Sequence, residues 1–430
     1  MKKTAKINSI FLAIVLIAGT FAAVYPSFII GIQAQADYEY ENGYGYDNYN
    51  NDSYNSAEYP SPSYEYPQQA YDEYESNQEN DYYNYPPTEN PVSVDIVVPI
   101  DFETIQEAIN AANEGDVIKV LPSTYIEQIT INKTLTIIDS DAESTIIEAP
   151  PLEELKPNVI GLPYIVEVNN GAEVTIKGFA INGIEDTNCD GLLGISVFGD
   201  ATLKLDSAVI KDCTFRSVFV GTLFVPGQSG HATITNTVIT DYQNTGVFVV
   251  GPNSTLKMSY NKVVGSAPEV VGIIGIQFAA NATGTITNNE VSENICEIPN
   301  TCGPDWFNQI QAFGIVADSA GEGSVIANNY VTNNDAGISV AVKSGCCIVD
   351  QNTLKDNRFF GIVIEDSEQI VSNTKIFGGK VGTAAAATFG NTTATLDHVK
   401  IIGAETPIQA LSSGNLTAAV NVLSPSFFQP

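Results

Sequence analysis

The sequence predicts an all-β solenoid behind one short N-terminal helix, and three observations carry that expectation. Asparagine recurs two residues before an apolar residue, at Asn236, Asn261, Asn289, Asn329 and Asn352. Glycine followed by an apolar residue recurs at Gly246, Gly275, Gly314, Gly337 and Gly361. The third observation is the rhythm between the two sets. From each Gly to the next Asn the separation is 15 (246 to 261), 14 (275 to 289), 15 (314 to 329) and 15 (337 to 352), whereas from each Asn to its own Gly it is 10, 14, 25, 8 and 9. One half of the repeat is rigid and the other accepts insertions. A period near 22 to 29 residues with alternating apolar positions and one variable corner describes coils of three short strands, stacked strand upon strand.

The elements follow in chain order. Residues 1–36 begin with the basic MKKTAKINS, continue through a mostly apolar run from Ile10 to Ile32, and close on Ala34-Gln35-Ala36. This pattern predicts a secretory signal cleaved after Ala36. The same run is long enough to span a bilayer uncleaved, so a membrane anchor through this segment is the competing expectation. Both place the remainder outside the cell, secreted or held at the cell surface. Residues 37–92 hold 14 of the 20 Tyr and 13 of the 50 acids, with no Lys or Arg and almost no aliphatic residue, so no core can form and the segment is expected to be a disordered acidic linker. A solvated spacer is the plain reading, and a sticky or glycosylated stalk the alternative.

The folded domain is expected over residues 93–430. It opens with Thr104 and Glu107 in a capping box, the helical face Ile105, Ala108, Ile109 and Ala112, and a stop at Gly115. Helical periodicity does not return. In the coils, Asn329 is assigned to a column with Asn236, Asn261, Asn289 and Asn352. Asn334 goes to a second column with Asn294 and Asn357, whose place Asp212, Asp241 and Ser266 take in other coils. Stacked about 4.8 Å apart, amides in a column can bond one another and the backbone of a buried corner.

The stretch from Asp101 to Ile138 resembles the opening of pectin methylesterases and other pectin-lyase-like proteins, with a capping helix followed by G-D-x-I-x-V and then x-Y-x-E. The NN-x-V and Gly-Ile-x-V coils resemble the carbohydrate-binding and sugar-hydrolysis repeats of right-handed parallel β-helices, as in the copper-delivery β-helix family. The resemblance covers roughly residues 93 to 420 and implies a right-handed parallel β-helix solenoid. It implies fold far more firmly than activity. Ser123 stands where the esterase motif has Gly, and the Q-D-T and D-F-I-F-G motifs of those enzymes have no counterpart, so esterase chemistry is unsupported.

Candidate sites follow from the coil register. Asp212 and Asp241 take the same apolar steps one coil apart, and stacked carboxylates about 5 Å apart match a retaining glycosidase pair. As turn residues they need no catalytic role. Lyase chemistry needs a base beside a neutralised uronate, and the two arginines, Arg216 and Arg358, stand five coil steps or about 24 Å apart, too far to serve one sugar. Insertions at one corner bring Tyr242, Trp306, Arg358 and Phe359 toward a common side, where aromatics suit stacking on sugar faces. Trp306 packing its own loop is the alternative. Cys296 and Cys302 share the longest insertion and are expected to staple it. Cys189 and Cys213 are one coil apart and can pair, and Cys346 is expected to be a buried thiol. His231 and His398 lack partners at ligand spacing. Sequons occur at Asn51, Asn132, Asn253, Asn281, Asn391 and Asn415. Asp186, Asn188 and Asp190, followed by Gly191, reproduce the first half of a calcium loop, although Val197 stands where the closing Glu belongs. One weakly bound calcium is expected there, with a self-capping acidic turn as the alternative.

A formal net charge of −32 makes nucleic acid an improbable partner. The expected function is a non-catalytic glycan-binding, adhesive or envelope-associated protein, whose partner is an extracellular polysaccharide or cell-envelope glycan. The alternative is a polysaccharide lyase or glycoside hydrolase.

Overall fold

A computed structural model describes residues 93–422 apart from 140–141, 143, 185–188, 190, 223–224, 226–227, 266–272, 343–344, 388–391 and 413–417. The expectations for residues 1–36 and 37–92 therefore lie outside the described residues. Among the described residues no helix is long and apolar enough to cross a membrane.

Helix α1 (Ile105–Ala111) forms as its N-terminus dictates. Thr104 Oγ1 accepts the Glu107 N–H and Glu107 answers on the Thr104 N–H, closing the capping box. Glu127, from the x-Y-x-E motif, adds a second cap by accepting the N–H groups of Ile105 (2.8 Å) and Gln106 (3.0 Å). A carboxylate there also complements the positive end of the helix. Ile105, Ala108 and Ile109 pack into the same apolar core as the first strands.

From that point the chain winds through three parallel sheets of 13, 11 and 11 strands, each strand pairing with its counterpart one coil on. Each coil passes in turn through the first sheet, the short strands of the second and the longer strands of the third, as in Gly230–Thr235, Val238–Ile239 and Tyr242–Val250. The inner faces are columns of aliphatic residues. One runs Val218, Val247, Ile276, Ile315, Ile338 and Ile362 up the third sheet, every member fully buried. β-Branched residues suit these columns because they pack well on a pleated surface.

Apolar burial contributes roughly 1.5–3 kcal/mol per aliphatic side chain and fixes which face turns inward, but it tolerates a slip of two residues. The amide ladders supply the phase. Asn329 Oδ1 accepts both the backbone N–H (3.0 Å) and the side-chain amide (3.1 Å) of Asn289, and Asn329 Nδ2 donates to Ile286 O and Asn352 Oδ1. Slipping one residue would orphan several buried groups, each costing about 1–3 kcal/mol. A second ladder joins Asn294, Asn334 and Asn357 by the same scheme.

The register corrects three column assignments. Thr237, not Asn236, precedes Asn261 in the first ladder, donating its N–H to Asn261 Oδ1 and sitting 1% exposed. Asn236 instead joins a column of left-handed turn residues with Tyr260, Asn288, Asn328 and Gln351. Asp212 and Asp241 likewise fall one residue short of the Asn334 ladder, alongside Glu293, Asn333 and Asp356 at positive φ. Ser266 lies outside the described residues. The shift has a single cause, since a short polar side chain suits both the left-handed turn and the buried ladder that follows it.

All three cysteine pairs are bonded: Cys189 with Cys213, Cys296 with Cys302, and the adjacent Cys346 with Cys347. Cys346 is thus a disulfide partner and not the free buried thiol its phase suggested.

Candidate functional site

Insertions enter where the second sheet turns into the third, so the outward face of the third sheet is the surface they frame. Two clusters occupy it. In the N-terminal one, Phe198, Phe219 and Phe248 from successive coils pack edge-on and tilted at centroid distances of 5.6 and 5.4 Å. The Arg216 guanidinium lies over Phe248 (4.6 Å), Phe215 (5.1 Å) and Phe219 (5.2 Å), and its Nε donates to Asn244 Oδ1 at 3.2 Å. Burial lowers its pKa to about 10, which still leaves it charged at neutral pH.

The C-terminal cluster is built on the long insertion between Ser292 and Phe313. Its two ends converge on Asp335, whose Oδ2 accepts the N–H of Cys296 (2.9 Å) and of Ala312 (3.0 Å). Asp335 Oδ1 takes Arg358 through Nε (2.7 Å) and Nη2 (2.5 Å), while Nη2 also reaches Cys296 O (2.9 Å). The Asp335 side chain is fully buried and Arg358 is 35% exposed, so the pair ties the insertion to the coil edge. Held this way, the loop lays Trp306 edge-on against Phe360 (5.5 Å, 88°) and Phe313 (6.0 Å, 86°). The indole Nε1 donates to Glu365 Oε1 at 3.2 Å.

Two acids stand on the C-terminal part of this face. Asp318 and Glu365 occupy one outward column with Ala341 between them, which places their strands about 9.6 Å apart. Desolvation, moderated by the Ser319 hydroxyl and reinforced by the charge on Glu365, pushes the Asp318 pKa up to about 6. A carboxyl whose folded pKa exceeds its unfolded value holds its proton more tightly in the native state. The native state therefore gains relative stability in acid and loses it as pH rises from near 3.8 through about 6. Asp318→Asn is expected to be more stable than the parent at pH 8, by up to about 3 kcal/mol, and to lose that advantage at pH 4. Denaturant melts at the two pH values check this, and a pH-independent difference would contradict it.

The sequence-predicted residues divide. Trp306, Arg358 and Phe359 come together at this corner, with Arg358 committed to Asp335 and stacked on Phe359 (5.2 Å). Tyr242 does not join them. It occupies the Asn294 ladder position two coils earlier, is fully buried, and donates its hydroxyl to Asn294 Oδ1 at 2.6 Å, so it extends the amide ladder inward and presents nothing to a ligand. Asp212 pairs with Lys211 (3.4 Å) and Asp241 accepts from the Thr240 hydroxyl (2.8 Å), both within left-handed turns. Asp186, Asn188 and Asp190 lie outside the described residues, and among the described ones no group of three metal-ligating side chains converges. Sequence reasoning missed Asp318, Glu365 and Asp335. The first two stand four residues after the repeated Gly314 and Gly361, a position that the Gly spacing alone identifies as outward.

This architecture is a right-handed parallel β-helix. Residues 164–346 match the family model described as the right handed beta helix region. Among solved structures, the chain is similar to a variant of the catalytic domain of GH87 alpha-1,3-glucanase in complex with tetrasaccharides, at 13% identity over 79% of this chain and 70% of that one, with a TM-score of 0.50. It is also similar to tailspike protein 2 from Escherichia coli O157:H7 bacteriophage CAB120 (10% identity, 79% and 44% covered, TM-score 0.48). A third is the periplasmic alginate epimerase AlgG (13% identity, 72% and 76% covered, TM-score 0.41). Identities this low bear on fold alone. No curated protein matches the sequence.

Proposed function

We propose that this chain is an extracellular glycan-binding protein that holds a polysaccharide along the corner between the second and third sheets. The observation that carries this reading is Trp306, the chain's one tryptophan, half-buried and fixed by the Asp335 anchor, with Phe359 and Phe215 half-buried on the same edge. Aromatic rings held in place at a solvent edge bind sugar faces at little entropic cost. Glycan-active proteins among the structural neighbours accord with it. A weak calcium at Asp186, Asn188 and Asp190, ordering the corner nearby, belongs to the same reading.

The Asp318 and Glu365 pair favours a second reading. Their strand separation falls at the upper end of the distance that inverting glycosidases use to admit a water, and an acid with pKa about 6 can donate a proton at neutral pH. One experiment separates the two. The secreted chain is screened on a glycan array and then assayed for new reducing ends or unsaturated products on every glycan bound. Binding without turnover, reduced at least about tenfold in Trp306→Ala, is the expected result. Turnover abolished by Asp318→Asn or Glu365→Gln would establish the hydrolase, and no binding to any glycan would sink both readings.

A further inference from the structure

The two arginines on this face have opposite fates. Arg358 is neutralised by a buried carboxylate, as a partly desolvated cation requires. Arg216 is not. Among the described residues its guanidinium meets one hydrogen-bond acceptor, Asn244 Oδ1, and three phenylalanine rings, although the chain carries 50 acids against 18 bases. Aromatic faces attract a cation but accept none of its in-plane hydrogen bonds. The contacts with Phe219 and Phe248 hold the guanidinium on this face, and its terminal nitrogens carry no hydrogen bond among the described residues, which suits bidentate donation. Next to it, Asn244 Oδ1 is engaged by both Arg216 and the Thr245 hydroxyl, which leaves its amide N–H groups as donors beside the guanidinium. Among the described residues Arg216 is the one cation in the outward positions of the third sheet, and the other charged residues there, Glu167, Asp318 and Glu365, are acids in other columns.

We propose that Arg216 and Asn244 form a subsite for an oxyanion carried by a glycan, a carboxylate or a sulfate ester, seated in the plane of the guanidinium. The proposal rests on the glycan-binding reading and narrows it to acidic polysaccharides. It also reconciles an acidic surface with an anionic ligand, since the net negative field repels the polymer while this fork attracts it locally, which makes placement along the solenoid specific.

Calorimetric titration of the full secreted chain with a galacturonate trisaccharide, a sulfated galactan oligosaccharide and an uncharged galactan trisaccharide tests it. One of the two anionic ligands should bind at least about tenfold more tightly than the neutral one, and the difference should shrink as salt is raised. Arg216→Gln should abolish that preference while retaining the weak neutral binding, and Arg216→Lys should restore only part of it, because a point charge lacks the fork. Asn244→Ala, which leaves the stacked guanidinium in place, should reduce the preference several-fold and guards against misfolding of the glutamine variant. A preference that survives both Arg216→Gln and Asn244→Ala would overturn the subsite. Equal binding of charged and neutral ligands would overturn it too while leaving glycan binding intact, and no binding of any of the three would count against both.

Discussion

Gly337→Val is expected to destabilise the fold by about 4 kcal/mol, near the limit for a single substitution. A Cβ at position 337 would stand 2.6 Å from the Gly361 carbonyl oxygen, 2.7 Å from Leu354 Cδ2 and 2.9 Å from Asn357 Nδ2. The first of these is backbone one coil on and the last belongs to a ladder amide, so neither can yield without breaking the register. The same approach repeats along the column, with Gly275 over Gly314 O at 2.6 Å and Gly314 over Gly337 O at 2.7 Å. Ser217 is the one larger residue admitted between Gly194 and Gly246, and it coincides with the register shift between Thr214 and Arg216 that opens the strand locally. By contrast, inserting four Gly and Ser residues at exposed Asn300, inside the long insertion, should cost less than about 1 kcal/mol, since closure entropy grows slowly with loop length. Urea melts of the two variants give the comparison, and equal destabilisation would mean that the coil register is wrong.

Asp335→Ala is the other large effect, expected at about 3–4 kcal/mol. It leaves the buried N–H groups of Cys296 and Ala312 without acceptors, at about 1–3 kcal/mol each. The Arg358 charge adds less than a fully buried ion would, because it is 35% exposed and water screens it. The loss should also reach the candidate site. With both ends of the insertion released, Trp306 leaves Phe313 and Phe360, and the emission of the chain's only tryptophan shifts to the red. Asp335→Asn, which keeps one acceptor oxygen, should fall between the two. Unchanged emission together with an unchanged melt would show that the carboxylate does not anchor the loop.

Much of this architecture was legible because a solenoid repeats its constraints. The Gly column, the constant Gly-to-Asn spacing and the single variable corner each recur often enough to expose the coil. What escaped is phase within a turn. In Asn288-Asn289 the first residue takes the left-handed backbone and the second enters the ladder, and where one asparagine stands alone, as at Asn236, composition cannot say which role it fills. Tyr242 shows the same limit from the other side. An aromatic residue after an acidic turn reads as a surface group, yet its position in the ladder turns it into the core, where its hydroxyl does the work of an amide. Asp335 was hidden for a different reason: two of its three partners are backbone groups 39 and 23 residues away, and a hydrogen bond to a main-chain N–H leaves no trace in residue type.

The ladders also grade the stiffness of the molecule. Bonds of the first run from Thr237 through Asn352 to Thr374 and those of the second from Tyr242 to Asn357, so the middle coils are stitched by continuous amide ladders at two corners, while the N-terminal coils are tied at scattered points such as Cys189–Cys213 and Thr130 with Tyr164. Coils of a solenoid exchange energy only with their neighbours, so opening enters from the ends and slows where the ties begin. The insertion that carries Trp306 springs from the tied segment. A long polymer tugging along the axis would thus peel the rims of the stack before it disturbed the corner proposed to hold it.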